Sequence, residues 1–397
     1  DSGWSGARDT LATCPTCRTM DTIGPNLVNQ VAGVSQTGQF AAVDINFRPP
    51  ESYQWNLTVS REVLKNTVLE ASYIGNHGLH IWRRNVNWND VPPNQPCRGG
   101  AALCNPALPN DARFQIAYNQ QRGINTDALV AANRRINTLG PIQMSQSTGN
   151  SSYHGLQLWL NRRFSNSLAF QAAYTWAHTI SDIPLTSFTN STTDPFNYAL
   201  DKGDADLDRR HTFVGNIVYV LPPFKRWGST ADTILGGWQL NAIYSFFGST
   251  PVDILSGFNT YGTSGNVNPR PNLVTGVPIY VHNSNDSTLW LNPAAFSLPG
   301  VGELGSLGKG AIRGKPINNL DLSINKNFKV TEKYNIQFRA EMFNAFNHPN
   351  FNGFQGALNF QGNTNNPDFG SVTNGSFGTV NHTQSHREIQ FGFKFTF

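Results

Sequence analysis

The sequence predicts an all-β fold, a transmembrane antiparallel β-barrel with short turns at one end and long loops at the other. Three observations carry this reading. Apolar and polar residues alternate over unusually long stretches, the connections between those stretches alternate between short and long, and no run of about 18 apolar residues occurs in the 397 residues. The last observation excludes a spanning helix, so a bilayer can be crossed only by strands. The slightly negative mean hydropathy agrees, because strands that face lipid on one side and water on the other average to little.

The alternation is clearest at the end of the chain, where Ile389, Phe391, Phe393, Phe395 and Phe397 interleave with Gln390, Gly392, Lys394 and Thr396. Upstream, Tyr334, Ile336, Phe338, Ala340, Met342 and Phe346 do the same, as do Leu320, Leu322, Ile324 and Phe328. Earlier strands are expected over 53–59, 69–73, 156–164, 168–176, 213–221 and 238–246, with a weaker tenth around 40–47. A soluble sandwich alternates over about five or six residues, whereas about ten tilted residues span a bilayer, and the longest of these runs match the second.

Short connections fall near 63–65, 165–166 and 330–332, with a medium one at 222–235. Long ones fall at 78–152, 182–209, 256–316 and 348–386. Every second connection is long, the pattern of short periplasmic turns and long extracellular loops. Residues 1–50 then read as an extracellular loop with a possible first strand, and 51–397 as barrel. The parity sends the last strand downward, to a periplasmic Phe397. Tyr53, Trp55, Trp176, Trp238, Tyr334 and Phe346 are placed as interfacial girdles, and Arg163, Asp321, Arg339, Glu341 and Lys394 as charges on the lumen face.

Composition argues against other classes. Only 14% of residues are charged, and the net charge of +4 is scattered, which gives nucleic-acid binding no support. Cys14 with Cys17, and Cys97 with Cys104, lie in loop-like segments and fit local disulfides in an oxidising compartment. Cys14 to Cys17 has CxxC spacing, but a zinc site needs two further soft ligands and no second CxxC exists. Asp204, Asp206 and Asp208 have the spacing of the first ligands of a calcium loop, yet Arg209 and Gly215 stand where such a loop needs Gly and Glu, so a solvated acidic loop before a strand is the better expectation, with a local salt-bridge network at the barrel rim as an alternative. Residues 308–314 approach a glycine-rich phosphate loop without its spacing, and no catalytic, metal or cofactor motif appears elsewhere. No enzyme is expected and no cofactor.

Several segments resemble the large TonB-dependent outer-membrane receptors of acidobacterial type, whose full-length members carry a carboxypeptidase-regulatory-like N-terminal domain. They are 53–57, 66–75, 153–158, 173–178, 208–211, 237–240 and, most specific, the run from Phe338 to Phe351, with 387–391 closing the chain. The resemblance implies the outer membrane of a Gram-negative bacterium, a ligand taken at the extracellular loops, and inward passage when TonB acts on a plug. It also implies contact with outer-membrane lipid and lipopolysaccharide, and a C-terminal signal for the barrel-assembly machinery at Phe393, Phe395 and Phe397. No plug domain, TonB box or accessory domain is visible, and such barrels have about 22 strands. The expectation is therefore a C-terminal barrel portion, not competent for energised transport alone. Two rivals remain: a passive porin or adhesive barrel, and a secreted carbohydrate-binding module using Trp82, Trp88 and Trp290 as sugar platforms.

Overall fold

The computed structural model describes residues 40–396, apart from 166, 184–191, 264–268, 282–287, 330–333, 363, 367–369 and 385. Cys14, Cys17 and Phe397 lie outside the described residues. Nine strands form one up-and-down meander: β1 (Glu51–Leu64), β2 (Thr67–Asn87), β3 (Ile142–Ser165), β4 (Leu168–Ser181), β5 (His211–Val220), β6 (Trp238–Phe247), β7 (Ile317–Lys329), β8 (Asn335–Phe343) and β9 (Glu388–Thr396). Each pairs antiparallel with the next, and among the described residues β1 and β9 are the edges of an open sheet.

The register shows why these residues make these strands. Directly opposed residues of an antiparallel pair share a face. Leu57, Tyr73, Leu156 and Trp176 form one such row across β1 to β4. Phe170, Ile217, Ala242, Leu322, Met342 and Ile389 form another across β4 to β9. The other face is polar: Asn241, Ser323, Glu341 and Gln390 are in line, as are Gln239, Asn325 and Arg339. Among the described residues no second layer covers the apolar rows. Trp176 is 54% exposed, Phe391 69% and Phe393 76%. A sandwich buries such residues; a membrane strand offers them to lipid.

The turns follow the same logic. Lys65 and Asn66 close β1 onto β2, and Asn66 takes the left-handed conformation (φ 62°) that tight hairpins require and asparagine tolerates. At the opposite end the structure moves the expected boundaries. The ladder continues to Asn87 in β2 and resumes at Ile142 in β3, so the first long connection is 88–141 rather than 78–152. The periodicity hid these extensions because beyond the apolar zone neither face needs apolar residues, and register shifts between Gly78 and Val86 break the alternation further. The weak tenth strand does not cross a membrane. Phe40–Val43 pairs in parallel with residues 142–145 at the outer end of β3, and Asp44 ends it by accepting from the Asn46 amide at 2.9 Å.

The long connections fold on themselves. In 88–141, helix α1 (Ala112–Gln120) starts at Asp111, whose carboxylate accepts from the Phe114 amide at 2.8 Å, and packs with α2 (Asp127–Asn133) around Val91, Ile116 and Leu129. Cys97 and Cys104 form a disulfide against this cluster. A larger apolar core gathers Ile254, Leu291, Phe296 and Leu307 from one connection with Leu358, Phe360 and Phe377 from another.

Candidate functional site

The outer ends of the strands and three of the four long connections meet in a collar of ion pairs, and the fourth, 344–387, joins them through the apolar core. Several of the pairs join segments far apart in sequence, such as Arg83 with Asp182 and Arg113 with Asp194. Arg83 on β2 is fully buried; it donates to Asp182 Oδ1 at 3.0 Å and to the Asp182 carbonyl at 2.7 Å, and lies over the Tyr198 ring at 4.3 Å. Burial pushes the Tyr198 hydroxyl up from its ordinary pKa.

Arg113 on α1 makes a two-pronged pair with Asp194, at 2.9 and 3.0 Å, with the two side chains only 4% and 2% exposed. Its Nε donates to the Val91 carbonyl at 2.8 Å, and the guanidinium lies over Tyr261 at 4.8 Å. Three of the four long connections therefore meet at one side chain. Gly262 permits this contact: it has φ of 72°, and a Cβ there would come within 2.0 Å of the Arg113 carbonyl oxygen.

At the mouth of β4 and β5, Asp204 and Asp208 share Arg210, at 3.0 and 2.8 Å, and both also contact Arg313. His178 Nε2 stands 2.9 Å from Asp204. Burial raises the Asp204 carboxyl, and hydrogen bonds from His178, Arg210 and Arg313 outweigh it, so the group is held below the ordinary carboxylate range. The salt-bridge network is thus what forms, with Arg313 a member that no local motif signalled, and not the solvated acidic loop expected of Asp204 to Asp208, because Asp208 is buried between two guanidinium groups. His178, Asp204 and Asp208 bring ligand atoms within 4.8 Å of one another, but two guanidinium groups already supply the positive charge there.

A fourth cluster sits deeper. Arg270 approaches Asp201 at 3.6 Å and Asp253 at 3.9 Å, and Lys309 donates to Ser181 Oγ at 2.9 Å and to the Ser181 carbonyl at 3.1 Å. Burial raises Asp253 to about 6 and lowers Lys309 to about 8. Neither residue carries a sequence signal: each is an isolated charge in an irregular segment, and Lys309 finds Ser181 128 positions away.

The residues singled out from sequence divide. Asp321, Arg339, Glu341 and Lys394 share the polar face by register, and Arg163 by its alternation with Asn161. Three of them are tied to neighbours there: Gln390 donates to Glu341, Arg339 to Gln337 at 2.8 Å, and Asn319 to Asp321 at 2.8 Å. Phe393 and Phe395 stand exposed on the apolar face. Of the three tryptophans considered as sugar platforms, Trp290 packs on Tyr280 at 5.1 Å and donates to the Arg313 carbonyl, so it belongs to the loop core. Trp88 lies under Arg135 at 4.8 Å, and Phe196 holds the same guanidinium at 4.3 Å. Trp82 is on the surface with Arg84 over its ring at 5.6 Å. The ion pairs and hydrogen bonds of the collar immobilise the loops that carry them.

A family model described as outer membrane beta barrel domain matches residues 6–390. No curated protein matches the sequence. Among solved structures, the outer membrane transporter YddB from Escherichia coli is 8% identical, with 91% of this chain and 34% of that one covered and a TM-score of 0.44. The ferric enterobactin receptor PfeA from Pseudomonas aeruginosa is 8% identical over 91% and 34%, with a TM-score of 0.39. The copper transporter OprC is 8% identical over 88% and 32%, with a TM-score of 0.35. The chain spans about a third of the length of these structures.

Proposed function

Because the chain belongs to the outer membrane beta barrel domain family, and so to the outer membrane of a Gram-negative bacterium, we propose that it is the barrel wall and ligand-capturing face of a TonB-dependent receptor. The observation that carries the reading is the cap. Three of the four long connections on one side of the sheet are fused by buried Arg and Lys contacts and the fourth joins them through an apolar core, whereas the described residues of the opposite side form turns, one 3-10 turn and one short helix. A pore needs no such surface; a receptor that must hold a ligand outside does. In this reading the ligand meets the loop aromatics and the cations stacked on them, such as Arg135, and the polar face with Arg163, Asp321, Arg339, Glu341 and Lys394 meets a plug. Phe393 and Phe395 lie on the face that a barrel-assembly machine meets as β9 is inserted. No catalytic step enters.

The test uses the protein purified from outer membranes. It should migrate as a heat-modifiable species, bind the periplasmic domain of TonB in a pull-down, and show no steady conductance in a planar bilayer. Open conductance without TonB binding would overturn the proposal in favour of a passive porin.

A further inference from the structure

The connection from β5 to β6 is the longest at its end of the sheet. After Pro222 and Pro223 come a single turn of 3-10 helix (Lys225–Trp227) and the two-turn helix α3 (Ser229–Leu235). Asp232 closes this segment on itself by accepting from the Phe224 amide at 2.7 Å. The end of α3 is tied to the sheet by two side chains: the Ile234 carbonyl accepts from Trp238 Nε1 at 2.8 Å and from Lys326 Nζ at 2.9 Å, and Lys326 also donates to the Gly236 carbonyl at 2.7 Å.

Those two side chains fix which side of the sheet the helix lies on. Trp238 and Lys326 are directly opposed in the β6–β7 ladder, two residues from the opposed pair Leu240 and Ile324, so they belong to the apolar, lipid-facing side. Trp238 also meets Phe338 of that face edge-on at 6.4 Å. The helix is therefore anchored at the outer wall of the barrel and at the short-turn end of the strands, the level of the periplasmic leaflet. Ile234 and Leu235 are 58% and 41% exposed there, and Lys225 and Arg226 are exposed beside them. Lys326 is buried and its ammonium is committed to the helix end, while Asp232 is engaged with Phe224, which leaves Lys225 and Arg226 as the charges offered outward.

We propose that residues 222–237 form a binding foot for an anionic glycerophospholipid of the periplasmic leaflet, with Lys225 and Arg226 on the phosphate and Ile234 and Leu235 against its acyl chains. Three features specify this occupant: the apolar residues continue the membrane-facing wall, the charge is complementary, and the short helix lies where an amphipathic segment sits between headgroups and acyl chains. The inference rests on the membrane-facing side of the sheet and is independent of transport; a receptor or a porin would carry the same foot.

The test is native mass spectrometry of the protein extracted from outer membranes in mild detergent, offered equal amounts of phosphatidylglycerol and phosphatidylethanolamine. The wild type should retain phosphatidylglycerol preferentially. At roughly fivefold per basic residue, K225A/R226A should lose at least tenfold of that preference, and the charge-preserving K225R/R226K should keep it. Equal retention of the two lipids by the wild type, or an unchanged ratio in a K225A/R226A protein that still shows heat-modifiable mobility, overturns the proposal.

Discussion

Replacing Asp194 with Asn keeps the shape of the side chain and removes its charge, leaving the Arg113 guanidinium almost wholly buried beside a neutral amide. The pair it breaks has two short hydrogen bonds and nearly no solvent contact. Removing one partner of such a buried pair costs about 3 to 5 kcal/mol, because the remaining charge keeps its desolvation penalty and loses its compensation. The Val91 carbonyl and the Phe196 and Tyr261 rings still surround the guanidinium, which favours the lower end. A loss of about 3 kcal/mol raises the population of the opened cap roughly a hundredfold. Hydrogen exchange of the detergent-solubilised protein reads this locally: amides in 88–141 and 192–204 should exchange faster, while those of β5 to β8 stay as in the wild type. The double variant R113M/D194L removes both charges and should be less damaged than D194N, since an apolar pair of similar volume carries no stranded ion. Exchange in D194N within threefold of the wild type, or a double variant worse than either single one, would refute the argument that this pair holds the connections together.

Three further outcomes follow from the same collar and its neighbours. The Asp253 carboxyl has a folded pKa of about 6 against an ordinary 3.8, so its contribution to cap stability is fully present below about pH 4 and lost as pH rises through about 6, a swing of about 3 kcal/mol; D253N should flatten that slope in near-ultraviolet circular dichroism melts recorded from pH 4 to 7. Arg313→Met leaves Asp204 and Asp208 to Arg210 alone and should loosen the mouth of β4 and β5, and millimolar zinc should partly restore protection in the variant through His178, Asp204 and Asp208, with no effect on the wild type. Reduction of the Cys97–Cys104 disulfide, which closes a seven-residue separation, should cost about 2 kcal/mol confined to 88–141; a fall in the heat-modification temperature of the barrel itself would contradict that locality.

What could be read from the sequence, and what could not, divides at the height where the strands leave the membrane. Between the girdles each residue has one of two environments, lipid or polar interior, and the alternation of Leu168 to Trp176 or Ile389 to Phe395 writes that choice directly into the chain. Above it the same backbone ladder continues through residues 79–87 and 142–150, but the choice disappears. Asn, Gln, Ser and Thr serve on either face, and no periodicity marks a strand that is there. The cap is harder still, because its order comes from contacts such as Lys309 to Ser181, Arg313 to Asp208 and Arg113 to Asp194, in which a single charge finds its partner across about 80 to 130 residues. The Asp208 to His211 segment was the exception because several charges fall together there, though even it gave no hint of Arg313.

The low charge content gains a meaning from this arrangement. In a chain where few residues are ionised, an unusual share of the loop charges is buried: Arg83, Arg113, Asp194, Asp201, Asp208, Arg270 and Lys309 are all nearly inaccessible. Buried pairs add little net stability compared with apolar packing, but they penalise every arrangement that leaves one partner stranded. Long polar connections have many compact arrangements of similar apolar burial, and a few obligatory pairings discriminate among them where hydrophobic packing cannot. Arg313 illustrates the constraint: it must reach Asp204 and Asp208 while its own backbone carbonyl accepts from Trp290, which fixes the 248–316 connection against both the strand mouth and the loop core. If the surface captures a ligand as proposed, it is preorganised before that ligand arrives, so binding need not include the cost of ordering the loops.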